Sequence, residues 1–195
     1  MFFELKQEVF DGLKEICDET FAKKEELTVQ DMSIKLMDME GLIMHCPYHH
    51  YILPAALLTQ AAISCGKTKE EYEEWMAIAE ERAKTVPAGF CGECGTCGSA
   101  VGVGIFISIY TGATPKSEEI WKWANEGTGK CLLKIASLAG PRCCKRTTFL
   151  ALAEGTPYIN EKCGTALKSN DELKCKYHGR NAECIEDKCP YYEED

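Results

Sequence analysis

Cys91, Cys94 and Cys97 lie two residues apart from one another in Gly89-Phe90-Cys91-Gly92-Glu93-Cys94-Gly95-Thr96-Cys97-Gly98. Thiolates bind soft metals and iron–sulfur clusters, and interleaved glycines let the backbone wrap closely around a bulky inorganic centre. The spacing matches the first three positions of the bacterial ferredoxin run, but the fourth, proline-followed cysteine is missing at the expected place. A run of three with no local fourth ligand suits a cluster better than zinc. The loop therefore reads as part of a ligand set completed from elsewhere in the chain.

Two further stretches carry the same chemistry. In His45-Cys46-Pro47-Tyr48-His49-His50, proline suits the first position of a helix, which puts Cys46 at the cap and His49 and His50 on its side. A thiol there is biased toward thiolate, and the histidines offer metal ligation or acid–base work. In Gly140-Pro141-Arg142-Cys143-Cys144-Lys145-Arg146, a second expected helix start carries two thiols among three cations, an arrangement that lowers thiol pKa and attracts an anion. Adjacent cysteines rarely share one metal, so one is expected to point inward and the other to pack. With Cys97 also beside an expected helix start, three positive helix ends could converge on one net-negative centre.

The polar tail from Thr165 holds Cys175, His178, Cys184 and Cys189-Pro190. A segment with so few apolar residues does not fold by burial alone, so either a ligand holds it or it is disordered. Cys175, His178, Cys184 and Cys189 could bind a structural zinc. Equally, the three thiols with one from the main body could bind a 4Fe–4S cluster.

The elements that position these groups read as helices. Apolar residues at helical spacing predict helices over 2–18 and from Thr28 to near Gly41. A nearly all-apolar helix is expected over 47–65, containing Pro54 and stopped by Gly66. A capping box at Thr68 opens another to about Thr85. The uncharged stretch after Gly98 is read as a helix, Gly98 and Gly102 giving it one smooth face. Helices are expected from a start at Thr114-Pro115-Lys116-Ser117-Glu118-Glu119 to about Leu138, open to interruption at Gly127 and Gly129, and from Gly140-Pro141 to Cys163, ended by Gly164. Cys17, Cys65 and Cys131 fall in apolar patterns and read as core. The fold class is mainly α: a bundle-like helical domain over 1–164 and a small cysteine-rich, metal-organised tail over 165–195.

The totals agree with this picture. Thirteen cysteines in 195 residues exceed a core's needs, and an odd number cannot all pair as disulfides. The charged N-terminal stretch lacks the apolar run of a secretory signal, which points to a reducing cytoplasm. A net charge of −9 argues against general nucleic-acid binding, and the apolar run Val101–Tyr110 is too short for a membrane span.

Taken together, HCPYHH, GFCGxxGxCG, GPRCCKR and the C…C…CP tail resemble an uncharacterised cysteine-rich domain family of anaerobic bacteria and archaea, over roughly residues 40–191. Members of that family occur alone or attached to radical-SAM or methyltransferase-like domains. The resemblance implies oxygen-sensitive iron–sulfur chemistry with such a radical-SAM, methyltransferase or redox partner. It places Cys91 and Cys97 in the family pattern and leaves Cys94 variable.

The expectation is a protein with one or two iron–sulfur clusters: a main site drawing on Cys91, Cys97 and Cys94 with Cys46 or Cys143/Cys144, and a tail carrying a second cluster or a zinc. His45, His49, His50, Arg142, Cys143 and Cys144 are the candidate reactive groups, and Cys46, Cys91, Cys94 and Cys97 the cofactor ligands. Histidines and cations beyond those needed for ligation favour a redox or sulfur-handling enzyme, or its electron-transfer partner, acting on a small anionic substrate. A zinc-stabilised module docking on a partner enzyme and a metal-free thiol redox enzyme are the alternatives.

Overall fold

The computed structural model describes residues 3–194. Among them are eight α-helices and no strand. Helix α1 is Gln7–Lys23 and α2 is Val29–Met37, where the Thr28 hydroxyl accepts from the Asp31 N–H. The first helix thus starts later than its apolar pattern suggests, and Phe2 lies outside the described residues. Phe3 and Leu5 precede the helix, with Phe3 edge-on to Tyr48 and the Lys6 N–H donating to the Tyr48 hydroxyl.

Helix α3, His49–Cys65, is the central rod, buried over most of its length and ended by Gly66 in the left-handed region. It begins two residues after Pro47, so Cys46 lies in the preceding turn and not at the cap. Helix α4, Lys69–Lys84, opens on the complete Thr68–Glu71 capping box. A one-turn helix α5, Phe90–Glu93, lies inside the cysteine loop, where no helix was expected.

Helix α6, Gly98–Thr111, packs on α3 through the two glycines four apart. A Cβ at Gly102 would stand 2.9 Å from Pro54, and one at Gly98 would strike the His50 ring. Helix α7, Glu119–Ala136, runs through Gly127 and Gly129 without a break. Gly127 is held against Ile107 and the Tyr158 ring, which a side chain would displace.

Helix α8 is Cys144–Cys163. It starts later than Gly140-Pro141 implied: Gly140 takes a positive φ and Cys143 becomes the cap, its sulfur accepting from the Arg146 N–H. Cys17 and Cys131 are fully buried in the core, but Cys65 is exposed at the end of α3, contrary to its reading as core.

The tail folds back over α2 and α8. Val29 N–H donates to the Lys168 carbonyl, the Gln30 side chain bonds Ser169 and Asn170, and the Tyr177 hydroxyl donates to Asp38. Leu167, Leu173 and Tyr177 join the apolar core, and Tyr191 packs edge-on to Phe149. Two 3₁₀ turns, His178–Arg180 and Glu186–Lys188, punctuate its path. No helix among the described residues is long and apolar enough to cross a membrane.

Candidate thiol centre

The turn before α8 and the folded-back tail enclose a small cavity. Cys143, Cys175, Cys184 and Cys189 line it with Arg146, Phe149, Tyr177, His178, Asn181, Tyr191 and Tyr192. None of the four cysteines is in a disulfide.

Each of the four sulfurs faces a backbone N–H. Cys143 Sγ accepts from Arg146 at 3.5 Å and Cys184 Sγ from Glu186 at 3.4 Å. The N–H groups of Tyr177 and Tyr191 face Cys175 and Cys189. The Asn181 amide adds a second bond to Cys143 Sγ at 3.6 Å. Bonds of this kind favour thiolate over thiol. Burial opposes them and holds the Cys175 and Cys189 thiols above their ordinary value. A bound metal reverses that balance, because a coordinating thiol is deprotonated outright.

Two cations beside this cavity have no carboxylate partner among the described residues. Lys145 is 1% exposed and Arg146 6%. Lys145 Nζ donates to the Met44 carbonyl at 3.1 Å, stands 2.8 Å from His49 Nε2 and lies over the Tyr177 ring. Arg146 Nη2 donates to the Pro141 carbonyl at 2.6 Å. Burying charge is costly unless an opposite charge offsets it, and the nearby charge that could do so is thiolate.

The histidines divide by their partners. His49 Nδ1 faces the Cys46 carbonyl at 3.1 Å and sulfur at 3.3 Å, so its proton is assigned to Nδ1 and Nε2 receives the Lys145 ammonium. His45 Nδ1 accepts from the Cys144 N–H, and Nε2 donates to Asn181 Oδ1 at 3.0 Å. His50 donates from Nδ1 to the Val86 carbonyl at 3.1 Å. Burial holds all three imidazoles below the ordinary histidine pKa.

A second, wider chamber adjoins the first, with Cys143 and Arg146 bordering both. Cys91, Cys97 and Cys144 line it, with His49, His50, Arg142, Ser99 and Thr147. The starts of α3, α6 and α8 all reach this chamber. Cys46 sits behind its wall, receiving the N–H groups of Tyr48 and His49, and Cys94 is exposed and lines neither space.

Helix-end polarity does not govern these thiols as the sequence suggested. Burial pushes Cys46 up to about 11 and Cys144 up to about 12. Arg142 is exposed at the chamber rim, while Lys145 and Arg146 are interior. Lys145 was read among the three cations of the expected helix start but not as a buried partner of His49, and Asn181 had no local signal in the sequence. Among the described residues, no three His, Cys, Asp or Glu side chains are grouped so as to hold a single metal ion. The four-thiol cavity nevertheless has the donors, N–H groups and adjacent positive charge that an anionic cluster requires.

No curated protein and no solved structure matches this chain. Residues 14–192 match DUF5714, and the chain belongs to this family of unknown function.

Proposed function

We propose that the protein binds an iron–sulfur cluster in the enclosed cavity through Cys143, Cys175, Cys184 and Cys189, and serves redox or sulfur-handling metabolism. The observation that carries this reading is four unbridged thiols around one cavity, each facing a backbone N–H. When bound, such a cluster supplies one-electron chemistry. Lys145 and Arg146 offset its negative charge, Asn181 fixes Cys143, and Phe149, Tyr177, Tyr191 and Tyr192 wall the cavity.

Arg142 and the N-termini of α6 and α8, at the neighbouring chamber, suit a small anionic substrate. The protein then works as an enzyme or as an electron-transfer partner. On the resemblance in its motifs, its setting is the cytoplasm of an anaerobe and its partner a radical-SAM, methyltransferase or redox protein.

Anaerobically purified wild type should be brown and contain iron with acid-labile sulfide, and Cys184→Ser should lose the iron held by the tail. Colourless protein containing only zinc would overturn this reading. It would favour a zinc-stabilised docking module instead, for which His178 on the same cavity wall offers a Cys₃His set.

A further inference from the structure

The chamber has its own set of four donors. Cys91 comes from α5, Cys97 caps α6, Cys144 begins α8 and His50 lies in the first turn of α3. None of them belongs to the enclosed cavity. The adjacent pair Cys143 and Cys144 is split, one thiol lining the cavity and the other lining only the chamber.

His50 has the form of a ligand. Its Nδ1–H is committed to the Val86 carbonyl, which leaves the lone pair on Nε2. Metal-binding histidines characteristically give their other ring N–H to such a carbonyl, which fixes tautomer and orientation. The Nε2 edge lies against the start of α6: a Cβ at Gly98 would be 2.0 Å from His50 Cδ2 and 2.5 Å from Nε2. Glycine beside Cys97 is therefore what admits the imidazole. His45 and His49 differ, since both nitrogens of each already have partners. Cys97 is also uncommitted as a cap, its side chain accepting no bond from the helix start.

We infer that the chamber holds a second iron–sulfur centre, with Cys91, Cys97, Cys144 and His50 Nε2 as its ligands. A centre of several metal atoms suits donors that come from four separate elements around one wide chamber. Replacing one thiolate by a neutral imidazole makes such a centre less negative and easier to reduce. This inference extends the cluster reading to the chamber and depends on different residues.

The test uses the full chain, purified anaerobically, with iron and acid-labile sulfide counted per folded protein and pulsed electron paramagnetic resonance of the reduced sample. Wild type should show nitrogen coupling from a coordinated imidazole. C97S should lose that coupling and about half the iron, while C184S should keep the coupling. H50Q should abolish it. Wild-type iron in both C97S and C144S would overturn the second centre. Coupling that is absent from wild type, or that survives in H50Q, would overturn ligation by His50, and loss of chamber iron in C46S would point to Cys46 as the fourth ligand instead. Should H50Q fail to fold, G98A displaces the same ring and should alter the coupling; an unchanged signal there counts against the inference. Unchanged iron in C184S would overturn the tail cluster alone.

Discussion

Lys145 is the residue whose placement most changes the chemistry. Its ammonium is buried beside His49 and the Met44 carbonyl and has no acidic partner among the described residues. Replacing it with Met removes a positive charge next to the proposed cluster, so the reduction potential measured by anaerobic redox titration should shift negative in Lys145→Met. An unchanged potential would mean that the charge does not act on the cavity. Cys17 tests burial without ligation. It is fully buried, and its thiol is pushed up to about 12 from an ordinary 9.0. Above pH 9 the unfolded chain releases this proton while the folded chain retains it, so stability falls as pH rises from 9 toward 12. At pH 10 the effect is about 1.4 kcal/mol. Melting temperature between pH 8 and pH 10 should decline less steeply in Cys17→Ala than in wild type.

At the scale of elements, glycines mark where helices touch. Gly102 faces Pro54 and Leu53 across the α3–α6 contact, so Gly102→Ala should destabilise the fold by about 1–3 kcal/mol through overpacking. Gly129 has open space where a Cβ would go, so Gly129→Ala should stabilise by about 0.5–1 kcal/mol through helix propensity. Chemical denaturation distinguishes the two; equal effects would refute the packing argument. Much of this level was legible in the sequence. The Thr28 cap, the Thr68–Glu71 box, and the Gly66 and Gly164 stops stand where local hydrogen-bonding chemistry put them. The starts of α3 and α8 were misplaced because proline is compatible with a turn before a helix as well as with its first residue. That Cys143 and Cys144 would part was expected, but which space each faces was not legible. It depends on the tail returning to α8, a contact between distant parts of the chain that local spacing does not encode.

For the whole molecule, the polar tail is the part whose order should depend most on the proposed centre. It has a modest apolar anchorage at Leu167, Leu173 and Tyr177, and three of its cysteines face the enclosed cavity. Removing metal with a chelator should accelerate amide exchange over residues 171–192 while α3 and α6 retain their protection, and C184S should behave likewise without chelator. Equal protection with and without metal would show that the tail is held by its apolar contacts alone.

The enclosed cavity takes one thiol from the start of α8 and three from the segment that follows it in the chain. During synthesis, therefore, α3, α6 and α8 can be complete while Cys143 still lacks its partners. For the proposed cluster, the order of translation would make insertion a late event, leaving a protein that delivers iron and sulfide an opening that closes only when Cys189 arrives.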